Sequence, residues 1–170
     1  MKKIFLALAM TLTVGSLATV FATNTTLNTT TKSGTTDVNY ILGDRYTITI
    51  PQAFELNDEP NDPISQTLSA SDVFIANKTK LQVVIKGANG TDTEWLIKDV
   101  SDQNNTFEYK VNSGDFVTGT ALNSGDVALE ILAGETDGGS STLSFDLAET
   151  VVKAGTYKDT LTFTSSIVNQ

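Results

Sequence analysis

The residues with the most capacity for chemistry in this chain are acids gathered in loops. "NDEPNDP", residues 57–63, concentrates Asp58, Glu59, Asn61 and Asp62 within a few positions, and hard oxygen ligands at such density are the kind that hold calcium. The spacing matches no EF-hand and offers no glycine at the turn, while Pro60 and Pro63 account for the segment equally well as a connection between sheets. "ETDGGS", residues 135–140, is a poorer version of the same pattern and reads as a hairpin turn. Two acids meeting across a cleft would supply the carboxylate pair of a glycosidase. Here the acids fall mostly in turns and at outward strand positions, as a solvated surface requires. Lys80, Lys98, Lys110, Lys153 and Lys158 lie near strands, where an internal crosslink to an asparagine could form beside a buried carboxylate. Most of them sit next to apolar in-facing residues and so point to water. No catalytic residue and no cofactor is expected, and calcium at residues 58–62 is the one metal candidate.

The residue types that are missing narrow the chemistry further. The 170-residue chain has no cysteine, which removes disulfides, Cys-ligated zinc and thiol nucleophiles. It has no histidine, which removes the commonest general base and metal ligand. Eleven basic residues against twenty acidic ones give a net charge of −9. Nucleic-acid binders need clustered Lys and Arg to displace counterions, so this surface repels such partners.

The elements that must position these residues begin after an N-terminal stretch of a different kind. Met1-Lys2-Lys3 is a charged start, Ile4 to Val14 is almost continuously apolar, and Val20-Phe21-Ala22 supplies an A-x-A-like cleavage site. Residues 1–22 are therefore read as a secretory signal peptide. Their removal takes Lys2 and Lys3 and leaves a mature chain of net charge −11, with no membrane segment. Covalent anchoring is not expected, because there is no lipoprotein cysteine and no LPxTG-type sorting motif near Gln170. Residues 23–36 follow, eight of the fourteen being Thr and only Leu27 strongly apolar. Such a segment is read as a flexible lead-in, and as a poor donated strand because alternate pockets would go unfilled.

From Asp37 to Gln170 the pattern has period two. Val38, Tyr40 and Leu42 share one face, as do Tyr46, Ile48 and Ile50, with Pro51 ending that strand. The same alternation predicts in-facing Leu81, Val83 and Ile85; Phe107, Tyr109 and Val111; Val127, Leu129 and Ile131; and Leu143, Phe145 and Leu147. Leu68 and Ala70 are out of phase with Val73 and Ile75, which predicts a bulge near Ser71-Asp72. Trp95 is expected in the core. The last run, "KAGTYKDTLTFTSSIV" (153–168), places Tyr157, Leu161, Phe163 and Ile167 together, with Asp159 on that apolar face and in need of a backbone N–H. Turns are signalled at Gly43-Asp44, Asn89-Gly90, Ser113-Gly114-Asp115, Ser124-Gly125-Asp126 and Asp137-Gly138-Gly139. About nine short strands and no helix describe an all-β domain over residues 37–170, an immunoglobulin-like antiparallel β-sandwich. A closed barrel gives the same alternation and stays open as the other architecture.

Residues 154–165, "AGTYKDTLTFTS", resemble the end of WxL-type cell-surface domains of Gram-positive bacteria, which finish with an Ala-Gly-x-Tyr turn and a Thr-rich strand. "LSFDLAETVVKAGTY" (143–157) resembles their penultimate strand and connection, and "YTITIP" (46–51) resembles the first strand of many small secreted Gram-positive proteins. Phe163 stands where that family has tryptophan, and Trp95-Leu96-Ile97 is not a Trp-x-Leu. The resemblance implies a non-enzymatic protein, extracellular or held noncovalently on the cell wall, with the wall or other surface proteins as partners. The Gly-x-Tyr-x-Asp-Thr alternation of residues 155–160 is also similar to fimbrial and spore-coat-type sandwich subunits, which implies self-association by strand complementation. A carbohydrate-binding module is a further alternative, and it would need a row of exposed aromatic rings.

Overall fold

The structure is a computed structural model that describes residues 11–14, 40, 42–113 and 120–170. Val38, the Gly114-Asp115 turn, the Thr-rich segment 23–36 and all of residues 1–22 other than 11–14 lie outside the described residues.

Among the described residues eleven strands follow in chain order: β1 (Thr11–Val14), β2 (Arg45–Thr49), β3 (Ile64–Phe74), β4 (Thr79–Gly87), β5 (Trp95–Asp99), β6 (Thr106–Ser113), β7 (Thr120–Leu122), β8 (Val127–Leu132), β9 (Gly139–Leu147), β10 (Tyr157–Lys158) and β11 (Leu161–Asn169). No helix occurs among the described residues. Eight strands form one sheet in the order β1-β2-β3-β9-β6-β5-β10, with β7 paired to β6, and three form a second in the order β11-β4-β8. Every pairing is antiparallel. Two separate sheets with β8 packed on β3 and β9 make a sandwich, not a closed barrel.

The alternation of the sequence becomes the core. Leu68, Leu81, Val83, Ile85, Val111, Leu143 and Phe145 are fully enclosed between the sheets, with Tyr46, Ile48, Trp95, Tyr109, Leu129 and Ile131 around them. Each such side chain contributes about 1.5–3 kcal/mol by leaving water. Trp95 cannot be buried without satisfying its indole, and its Nε1–H donates to the Leu122 carbonyl at 2.7 Å.

Two bulges set the phase of the strands. At the predicted site, β3 carries an irregularity opposite β2: Thr47 pairs with Ser71 but Arg45 with Phe74, and Asp72 takes a φ of 53°. A second, not signalled by the sequence, lies where Val83 pairs with Leu129 but Val84 with Val127. It corrects the expectation for Val127, which is 38% exposed, while Ala128 is 3% exposed and fills the core. The N-terminal run is corrected as well. Tyr40 and Leu42 are 79% and 46% exposed and belong to no strand. At the β8–β9 turn, Gly138 has a φ of 81°, and a Cβ there would run into the Ala70 carbonyl.

The closing run also differs from expectation. It is two strands, not one: Tyr157 and Lys158 pair with β5 in the large sheet, and Leu161 to Asn169 pair with β4 in the small sheet. The chain crosses between sheets at Asp159-Thr160. Tyr157 and the residues Leu161, Phe163 and Ile167 therefore stand in different layers.

Candidate functional site

The acidic loop is built from beneath by apolar residues. Phe54 and Leu56 pack against the core, Phe54 with its ring 4.7 Å from that of Phe145, and they carry residues 57–62 up to the surface. Asn57 closes the loop by donating from Nδ2 to the Asp62 carbonyl at 2.8 Å. Asn61 takes a φ of 66°, and its backbone N–H donates to both oxygens of Asp146 at 3.0 and 3.1 Å. The result is an open depression of about 510 Å³ lined by Glu55, Leu56, Asn57, Asp58, Glu59 and Asp62. The side chains of Asp58, Glu59, Asn61 and Asp62 are all exposed. Among the described residues no group of three or more acidic side chains comes close enough to hold a metal ion. Asp146, which the sequence did not single out, is the acid the loop is organised around.

A denser polar construction lies where the chain changes sheets. Asp159 Oδ1 accepts from the N–H groups of Ala88, Asn89 and Thr160 at 3.0, 3.1 and 2.8 Å. Its Oδ2 accepts from the Tyr109 hydroxyl at 2.7 Å. The sequence asked for a backbone donor to Asp159, and three are present. Asn89 adds a bond from Nδ2 to the Lys158 carbonyl at 2.7 Å. Tyr109 is only 3% exposed and leans on Trp95. Burial first, then the hydrogen bond and negative charge of Asp159, push its phenol far above the usual tyrosine range. It stays a donor. Gly87 makes room for this contact, since a Cβ there would stand 2.6 Å from Asp159 Oδ2, and its own N–H donates to the buried Ser124 hydroxyl.

The second half of the construction holds the turn at Gly155. Asp99 is 6% exposed and accepts from the Ser101 N–H and hydroxyl at 2.8 and 2.7 Å, and from Asn105 Nδ2 at 3.3 Å. These bonds, the Ser101 hydroxyl foremost, hold the Asp99 carboxyl below its ordinary value against the opposing effect of burial. Asn105 Nδ2 also donates to the Tyr157 hydroxyl at 2.7 Å, which in turn donates to the Lys153 carbonyl at 3.1 Å. The Tyr157 ring meets Phe107 edge-on at 5.1 Å. The Asp99-Val100-Ser101 spacing is a local Asx-turn signal that a sequence reading could have used. Asn105 carried no such signal.

The third feature is an open side. Tyr46 on β2 and Ser165 on β11 share a hydroxyl hydrogen bond of 3.1 Å, which sets an edge region of the large sheet against the edge strand of the small one. Leu161, Phe163 and Ile167 are only half-buried there, although they pack on the core. β2 carries β1 at its outer edge, with Leu12 opposite Ile48 and Val14 opposite Tyr46. Among the described residues β11 pairs with β4 alone. Of the lysines, Lys80 reaches Glu130 at 2.9 Å and Lys86 reaches Asp92 at 3.1 Å, both on the surface.

No family model matches the chain. No curated protein matches it either. Among solved structures, it is similar to a chain from a chaperone–tip adhesin complex described as vital for synergistic activation of CFA/I fimbriae biogenesis. The match has a TM-score of 0.58 at 18% sequence identity, and covers 74% of this chain and 42% of that one. The chain thus spans less than half the length of that neighbour, and the likeness is one of fold.

Proposed function

We propose that this β-sandwich is a secreted bacterial cell-surface protein with a structural or adhesive role and no enzymatic activity of its own. The observation that carries the reading is the use of the closing motif's polar groups. Tyr157 and Asp159 tie the sheet crossing to Asn105, Lys153, Tyr109, Ala88 and Asn89. A strand fastened across both layers suits a module that bears load or displays a surface. The residues of the WxL-like resemblance are the ones that do this fastening, which favours noncovalent wall association as its setting. The fold likeness to a chain of a chaperone–tip adhesin complex supports the adhesive side of the reading. The test is fractionation of a Gram-positive host expressing the chain, followed by pull-down on purified peptidoglycan. Recovery in the medium or the salt-released wall fraction is expected. Retention in the cytoplasm, or hydrolysis of a wall polymer by the purified protein, would refute it.

A second reading, a subunit that joins others by strand complementation, is favoured by the edge of β2. In the full-length chain that edge pairs with Thr11–Val14, in register from Thr11 opposite Thr49 to Val14 opposite Tyr46, and removal of residues 1–22 as a signal peptide would leave it open to a strand from another copy. It predicts a ladder of oligomers on sedimentation. Deletion of residues 23–36 abolishes that ladder if this segment is the donated strand.

A further inference from the structure

Among the described residues, the backbone of β11 has one side committed to β4 and one side free. Ala88 N–H donates to the Thr160 carbonyl and Gln170 N–H to the Lys78 carbonyl, at the two ends of the β4–β11 ladder. Hydrogen bonding alternates along an antiparallel pair. The even-numbered residues of β11 therefore face β4, and the N–H and C=O groups of Leu161, Phe163, Ser165, Ile167 and Asn169 point to the open edge. Natural sheets protect such edges with lysine, proline or a short strand. This one runs for nine residues, and residues 160–170 contain neither charge nor proline.

We infer that the free edge of β11 is a self-association surface, on which a second copy of the chain lays its own β11 antiparallel, with Ser165 opposite Ser165 on the twofold axis. The register follows from the residues. Only odd-numbered residues offer free backbone groups, and centring on Ser165 pairs all five of them: Leu161 with Asn169, Phe163 with Ile167, and Ser165 with itself. About ten inter-chain hydrogen bonds result. Phe163 would meet the partner's Ile167, an aromatic against a β-branched residue, which is a favourable cross-strand pair. Both are half-buried in the single chain and stand to gain cover. Charge selects the occupant. In a chain of net charge −9, two copies repel over most of their surfaces, and this uncharged strand is a place where they can touch without a like-charge penalty. The Thr-rich segment 23–36, with Leu27 as its lone strongly apolar residue, has nothing to set opposite Phe163 and Ile167. The joined small sheets form one six-stranded sheet in the order β8-β4-β11-β11-β4-β8. This inference goes beyond the surface-protein reading and stands on the edge geometry alone, so wall binding and self-association can fail separately.

The chain has no cysteine, so an introduced thiol is unique. Across a hydrogen-bonded antiparallel pair the Cα atoms are about 5.5 Å apart, inside the range a disulfide spans. In the full-length chain, Ser165→Cys should crosslink to a dimer under mild oxidation, whereas Thr162→Cys, about 20 Å from its twofold mate, should not. Sedimentation of the parent should show a concentration-dependent dimer. Ser165→Pro removes the edge N–H without touching the β4 ladder and should weaken that dimer about ten-fold or more. Ser165→Ala loses the Tyr46 contact but keeps the N–H, and should dimerise like the parent. A monomer at all concentrations, equal crosslinking of both cysteine variants, or an open ladder in place of a dimer would overturn the inference.

Discussion

Replacing Tyr109 by Phe deletes one hydroxyl and leaves the ring to pack on Trp95. That hydroxyl donates to Asp159 Oδ2 at 2.7 Å from a site only 3% exposed. A hydrogen bond to a charged acceptor contributes about 1.5–3 kcal/mol. Asp159 is half-buried and keeps its three backbone donors, so the cost of Tyr109→Phe belongs near 1.5 kcal/mol. Asp159→Ala strands the Tyr109 hydroxyl and removes the acceptor of three N–H groups, and is expected to cost about 3–5 kcal/mol. The double variant should cost little more than Asp159→Ala alone, because the Tyr109 bond is already gone, giving a coupling of about 1–2 kcal/mol. Urea unfolding followed by the fluorescence of Trp95, the chain's one tryptophan, measures all four corners of the cycle. There is also a pH signature. The folded phenol keeps its proton far above the usual range while the unfolded one loses it near pH 10. The contribution is therefore full below pH 10 and is lost as pH rises beyond it, by about 1.4 kcal/mol per unit. The gap between parent and Tyr109→Phe should close in that window. Additive costs, to within about 0.5 kcal/mol, would refute the reasoning.

Other outcomes follow from the same geometry. Asp99 has a lowered carboxyl pKa, so its contribution is present above the ordinary value of 3.8 and fades as pH falls through the folded one. Acid titration of the melting temperature should show a smaller loss for Asp99→Asn than for the parent. Gly138→Ala forces a φ of 81° on a side chain that meets the Ala70 carbonyl, and should destabilise by more than about 1 kcal/mol in urea titration. Trp95→Phe leaves the buried Leu122 carbonyl without its donor and should cost about 1–3 kcal/mol by calorimetry. Since the acids at residues 58–62 do not converge, millimolar calcium should move the melting temperature by less than about 1 °C. A saturable rise would return the ion to that loop.

The large apolar residues of the core announced themselves by period two, because a strand buried on one face must alternate whatever its neighbours are. For Val127 and for the closing run, the cause of the difference lies in another part of the chain. Val127 points outward because β8 is bulged against Val83-Val84, and nothing in "DVALEIL" marks which of Val127 and Ala128 will be buried. Tyr157 and Leu161 alternate as though they shared a strand, yet the chain switches partner from β5 to β4 between them. Asp159 was legible as an acid on an apolar face, since its oddity is local. Its donors were not, because Tyr109 comes from fifty residues away and Ala88 from seventy-one. Asn105 and Asp146 went unnoticed for the same reason: polar residues in turns and on outer strand faces are ordinary until the register brings them against a part-buried hydroxyl or a loop N–H.

The position of β4 has a consequence for how the molecule is made. It lies at the centre of the small sheet, between β8 and β11, and its partner on one side is the stretch 161–169. Until those residues have been synthesised, β4 has an unpaired flank and the inner face of the large sheet lacks part of its cover. Contacts of such long sequence separation are slow to form, on the order of milliseconds to seconds for sandwiches. The second layer therefore cannot close before residues 161–169 have left the ribosome, and β4 stays without that partner for the interval.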